Sequence, residues 1–236
     1  MNLFQLYRYD TNELLFEAKA VCMKECLEKA VWDNVNLDYV DLSNCNLCDI
    51  NLDDARIHYA NFRGCNLVGA NMSEGSFKGC DFSNAIMHGA CLNESDLGQS
   101  AFIYTRFGDT DCAGTNFDGT VFAGSSAFDL KFQECLSMKS CLYYHHDGKT
   151  YPMSRPPLVI KGLPYSLVLL NKHYLKGSEI KSSKSLIEDL YGPDKSGDLN
   201  LLEGQFGHRS FAERALYNRV IIALAYDKYR IQKKSC

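Results

Sequence analysis

Three sets of residues in this chain have types and spacings that could do chemistry. Cys45 and Cys48, in NCNLCD, have the spacing of a zinc knuckle. Zinc needs four converging ligands, and no second pair follows at zinc spacing. His145 and His146 precede Asp147 in YYHHDG. Two imidazoles and a carboxylate could hold a metal or move a proton if a third ligand or a cleft came with them. The surrounding HHDGKTYPMSRPP is Pro-rich and without periodicity, so it reads as a solvated linker. Neither SFAERALYNR nor GQFGHRS has the spacing of a nucleophile and its base, and no Gly-rich loop has the form that cradles phosphate. No enzymatic activity, metal or cofactor is expected. The third set is a series of carboxylates, Asp33, Asp53, Asp54, Glu74, Glu94 and Asp111, whose meaning depends on what brings them together.

What could bring them together is a period of five. Trp32, Leu37, Leu42, Leu47, Leu52, Ile57, Phe62, Leu67, Met72 and Phe77 are bulky, and the series continues to Ala127. Two residues before each stands a second column, mostly small: Val40, Cys45, Ile50, Ala55, Ala60, Cys65, Ala70, and later Ser95, Ser100, Thr105, Thr110. Neither column holds a charge. With 23% charged residues, about 40 charge-free positions would arise by chance on the order of once in 30,000 trials, so both columns face a core. Neither a helix at 3.6 nor a strand at 2.0 residues has this period.

YANFRGCNLVGANM and GCDFSNA resemble the A(D/N)LXX motif of the pentapeptide-repeat family, and the likeness extends over about 100 residues. The resemblance implies a right-handed quadrilateral β-helix, four repeats to a coil and about five coils. Stacked coils pair their backbone groups along the axis, as in other solenoids. Departures fall at Cys112 and Ala127, which replace large centres, and at Gly75 and Ile50 in the second column.

LFQLYRY and ELLFEAK around DTN read as a β-hairpin, and AVCMKECLEKAV as a short helix burying Val21, Cys22, Cys26, Leu27, Ala30 and Val31. This lead-in, residues 1–29, is expected to cap a β-helix spanning 30–130. A transition and linker over 131–157 would follow, then a small α/β domain over 158–236. In that domain, LVIKGLPYSLVLLNKHYL reads as strands broken at GLP, and SSKSLIEDLYG as a capped helix. A second helix over Phe211–Ile231, apolar nearly all round, suits a homodimer contact. The fold expected is therefore mainly β. The lead-in and tail also resemble phage and bacterial members of the family. There is no signal-like start and no apolar run of spanning length, so the protein is expected to be cytoplasmic, with its 11 cysteines as reduced thiols.

Charge is segregated: residues 30–130 carry 4 Lys and Arg against 14 Asp and Glu, residues 131–236 carry 17 against 10. Residues twenty apart should stack one coil apart. The side centred on Trp32, Leu52, Met72, Leu92 and Cys112 then gathers Asp33, Asp53, Asp54, Glu74, Glu94 and Asp111 without a Lys or Arg, while each other side has at least one. Carboxylates ~5 Å apart repel by roughly 0.8 kcal/mol per pair even in bulk water, so such a face costs stability. Family members include gyrase-binding proteins described as duplex-DNA mimics. The resemblance thus implies a non-enzymatic protein that offers the acidic face to the basic surface of a nucleic-acid enzyme. The other reading is an interaction scaffold whose C-terminal domain mediates oligomerisation or partner binding. Direct nucleic-acid binding is not expected, because the tail's Lys and Arg are interleaved with acids rather than with aromatics.

Overall fold

A computed structural model describes residues 1–160, 167–170 and 173–182. The chain divides into two compact units, with the boundary between Pro156 and Pro157.

The first unit opens with an antiparallel hairpin, β1 (Asn2–Tyr7) and β2 (Leu14–Ala20), turning through Asn12 at φ 58°. Helix α1 (Met23–Trp32) follows and buries Cys26, Leu27 and Ala30. Cys22 lies at the N-cap, and Val21 is exposed, so neither joins the core stripe expected of them. The helix also keeps Trp32. That residue ends α1 and is 86% exposed, so the inner column begins at Leu37 rather than at Trp32.

From there the expected square coil is present. Parallel bridges join residues twenty apart on four successive sides: Asp41 with Asn61, Asn46 with Asn66, Asn51 with Asn71, Arg56 with Ser76. Every centre from Leu37 to Phe122 is buried, and so is the second column from Ile50 to Thr120. Most sides end in the same turn. Cys45 N–H donates to Leu42 C=O across Asn44 at φ 58°, and Ala70 N–H to Leu67 C=O across Gly69 at φ 66°. A single left-handed residue in the third position is the type II pattern, which is why Gly, Asn and Asp recur there.

Inside, Phe62, Phe82, Phe102 and Phe122 stack with successive centroid spacings of 4.8, 5.0 and 5.5 Å, the rise of one strand per coil. The buried hydroxyls of the later coils are satisfied. Ser100, Thr105, Thr110 and Thr115 donate to the carbonyls of Phe77, Phe82, Met87 and Leu92, each twenty-three residues earlier. Gly75 has its own reason, because a Cβ there would lie 2.4 Å from the Phe77 ring.

Strands β3 (Ala101–Ile103), β4 (Val121–Ala123) and β5 (Leu142–Tyr144) pair in parallel, and β6 (Thr150–Pro152) closes the sheet antiparallel to β5. A 3₁₀ turn over Ser125–Asp129 interrupts the period. The ladder does not stop at residue 130. Gly114, Phe117 and Gly119 N–H donate to the carbonyls of Glu134, Ser137 and Lys139. Val121 pairs with Leu142, twenty-one residues on. Residues 131–145, expected as transition and linker, thus form a further turn of the β-helix with one residue inserted. The insertion hides the continuation from a five-residue period.

In the second unit, β7 (Leu158–Ile160), β8 (Leu167–Leu170), β9 (His173–Lys176) and β10 (Glu179–Ser182) form an antiparallel sheet in sequence order. β7 and β8 flank GLP as expected. The β9–β10 hairpin turns at Gly177 with φ 61°, and its signal in the sequence is YLKGSEIK. The helices expected over SSKSLIEDLYG and Phe211–Ile231 lie outside the described residues. No described helix is long and apolar enough to cross a membrane.

Candidate macromolecule-binding face

The turn geometry places side chains on the β-helix corners. Along the regular coils, left-handed corner residues such as Asn44, Asp54, Gly64 and Glu74 donate their N–H to the carbonyl nineteen residues on, so corner residues twenty apart form a file. Asp54, Glu74 and Glu94 occupy one such file, at φ 54°, 56° and 57°. Their N–H groups go to Ser73, Asn93 and Ala113. Gly114 ends the file, and a Cβ there would lie 3.0 Å from Glu94 Cγ. All three acids are exposed, and among the described residues their carboxylates form no ion pair or hydrogen bond.

The other three predicted acids are placed differently. Asp53 lies one residue before the file, and its Oδ1 accepts from Ser73 Oγ at 2.7 Å. Asp111 lies in the file of Asn51, Asn71 and Cys91. It accepts from Asn93 Nδ2 at 3.1 Å and Ala113 N–H at 3.2 Å, two donors that hold its carboxyl below the ordinary range. Asp33 is the C-cap of α1, its N–H bonded to Lys29 C=O at 2.9 Å, and does not belong to a coil.

Two acids elsewhere on the rod are paired with cations. Asp81 pairs with Arg63 at 3.2 Å and Asp96 with Lys78 at 2.9 Å. Asparagine ladders replace charge at other positions: Asn66 Nδ2 donates to Asn46 Oδ1 at 3.0 Å and Asn71 to Asn51 at 3.1 Å.

The repeat match can be placed on this geometry. Residues 33–69 and 60–99 match the family model described as pentapeptide repeats, in eight copies. This part of the chain is a pentapeptide-repeat domain. Solved structures similar to it include the pentapeptide-repeat protein HetL, involved in regulating heterocyst differentiation in the cyanobacterium Nostoc (16% identity over 47% of this chain and 55% of HetL, TM-score 0.30). QnrB1, a plasmid-mediated fluoroquinolone resistance protein, matches at 21% identity over 45% of this chain and 59% of its own (TM-score 0.20). A pentapeptide-repeat protein of the Arabidopsis thaliana thylakoid lumen matches at 23% over 34% and 63% (TM-score 0.17). The chain spans less than two thirds of each of these neighbours. No curated protein sequence matches it.

Two features of the first unit differ from what the residues alone predict. Tyr39 and Tyr59 stack at 5.0 Å on another corner, joined by Tyr9 of the hairpin at 6.1 Å and by Arg8, whose guanidinium sits 4.5 Å over the Tyr39 ring. Their spacing of twenty was the available signal. His145, read as part of a solvated linker, is buried, because it packs in the closing hairpin. Its Nδ1 lies 3.2 Å from Asp147. Burial works to raise the Asp147 carboxyl, but donation from Lys149 N–H, Tyr151 OH and His145 outweighs it and brings the group to about 2. Cys45 and Cys48 are both half-buried, Cys48 beside Asp49 at 3.3 Å. Among the described residues no group of three or more His, Cys, Asp or Glu is arranged to hold a metal.

Proposed function

We propose that this protein is a non-enzymatic binding protein that docks its acidic corner on the basic surface of a nucleic-acid-handling enzyme and inhibits it by occupying a phosphate-binding groove. The observation carrying this reading is the file Asp54, Glu74, Glu94. Three exposed carboxylates, each on a left-handed residue, are stacked without a cation, while Asp81 and Asp96 on the same rod are paired. Like charges so placed oppose folding, and a basic partner converts that cost into binding energy and fast, salt-sensitive association. Five coils at ~4.8 Å offer ~24 Å of face, about seven base pairs of duplex. The test is capture of basic proteins from a bacterial lysate on immobilised full chain. Captured protein should elute with salt or duplex DNA, and a chain carrying Asp53→Lys, Asp54→Lys and Glu74→Lys should retain none of it. Capture indifferent to salt, DNA and the three substitutions would overturn the proposal.

A second reading rests on the separate unit that begins at Pro157 and on the basic excess of residues 131–236. There the rod is a scaffold, and the C-terminal unit binds the partner or a second copy. Removal of residues 158–236 abolishes capture under this reading and leaves most of it under the first.

A further inference from the structure

At its first coil the β-helix ladder lacks a pair. Where Asp41 meets Asn61, Leu42 N–H donates to Asn61 C=O and Asn61 N–H to Val40 C=O, both at 2.9 Å. One side earlier, the same register would join Arg56 to Val35 and Leu37. Among the described residues no hydrogen bond does so. The chain leaving α1 turns through Asn34 at φ 53° and stands off from residues 54–56, opening a groove of about 410 Å³. Hairpin and helix close the neighbouring sides. Asp41 N–H donates to Tyr7 C=O, Glu28 accepts from Asn51 N–H at 3.0 Å, and Lys24 donates to Asp49 C=O at 2.6 Å.

We infer that this groove receives an arginine side chain from the basic partner of the acidic corner, an inference that rests on the function proposed above. Val31, Val35, Leu37 and Ala55 supply an apolar lining suited to the methylene stem. Asp54, first acid of the corner file, and Asp38 also line it. Asp38 already accepts from His58 N–H through Oδ1 at 3.0 Å. The carbonyls of Val35 and Arg56, left over from the missing pair, add two acceptors. Acceptors spread along opposite walls match the five-donor fork of a guanidinium better than the point charge of an ammonium. Arg56 is the one cation in the lining and competes for the same acceptors.

The probe is acetyl-Gly-Gly-Arg-Gly-Gly-amide, titrated at low salt into the ¹⁵N-labelled full chain, with the lysine and citrulline peptides as controls. The expected result is saturable shifts of the Leu37 and Arg56 amides with the arginine peptide. Affinity should be at least threefold weaker with lysine and undetectable with citrulline. Arg56→Gln should tighten binding several-fold, and Asp54→Asn should weaken it about tenfold. Val35→Phe fills the groove without changing charge and should abolish these shifts while sparing salt-sensitive capture of basic protein by the corner file. Equal response to arginine and citrulline, shifts centred away from Leu37 and Arg56, or unchanged binding in both Val35→Phe and Arg56→Gln would overturn the inference. If Val35→Phe and the wild-type chain capture basic protein alike but no peptide shifts appear, the groove fails and the acidic corner stands. Loss of capture in the three-lysine chain, with peptide binding retained by Arg56→Gln, supports both.

Discussion

Two corners of the same rod treat their files in opposite ways. On one, Tyr39 and Tyr59 stack, and Tyr59 lies over Gly79, whose added Cβ would fall 2.5 Å from the ring. Tyr39 and Tyr59 are themselves left-handed, at φ 65° and 56°, but the next position of their file is glycine, and the Tyr59 ring uses the space that Gly79 leaves. On the other, Asp54, Glu74 and Glu94 are three side-chain-bearing residues at positive φ, Asp54 below Glu74 and Glu74 below Glu94, before Gly114 ends the file. Backbone geometry is common to both corners, so the difference lies in side-chain chemistry. One corner is arranged for stability and the other gives some of it up. Local departures of that kind are where function is most often found.

The largest effect on this comparison should come from Gly79→Ala. A left-handed alanine together with displacement of the Tyr59 ring is expected to cost about 2–3 kcal/mol. Gly114→Ala meets only the flexible Glu94 side chain at 3.0 Å and should cost about 1 kcal/mol. Urea unfolding of both variants measures the contrast, and equal losses would remove the distinction between the corners. Next, Glu74→Asn tolerates the left-handed position and relieves repulsion from above and below. It should stabilise the chain by about 1 kcal/mol at low ionic strength, with most of the Coulomb part gone at high salt. No gain would mean the file is not repulsive.

Asp147 is the control, a carboxylate surrounded by donors. Its folded value of about 2 lies below the ordinary carboxylate value, so its contribution is complete above pH ~4 and is lost as pH falls from about 4 towards 2. An NMR titration should find its midpoint near 2, and Asp147→Asn should remove the acid-induced shift of the Lys149 amide. The smallest effect is on reactivity. Burial pushes the thiols of Cys65, Cys80, Cys112 and Cys141 up to about 12. At pH 8 iodoacetamide should modify exposed Cys22 in the native chain and reach those four only on unfolding, as read by mass spectrometry.

Much of this was legible in the residues because a solenoid repeats its environment. Leu42, Phe62, Phe82 and Phe102 each meet the same surroundings, so a period of five states burial almost position by position. Where the environment is unique, the period misled. Trp32 fits the column by number, but α1 runs through it and leaves it in solvent. One inserted residue before Leu142 made a further turn of the rod look like a linker. For the candidate site, the spacing of twenty placed Asp54, Glu74 and Glu94 together, while Asp33 was drawn to the helix cap and Asp111 to donors of its own.

By itself the sequence determined the square coil, its inward columns and the stacking of acids twenty apart, because those follow from a repeat that each coil imposes on the next. Tertiary structure alone decided where the repeat starts and ends, that His145 is buried, and that no hydrogen bond joins Arg56 to Val35 or Leu37. Those outcomes depend on how a helix and two hairpins meet the ends of the rod. Contacts of that kind occur once, and a single occurrence leaves no period to read.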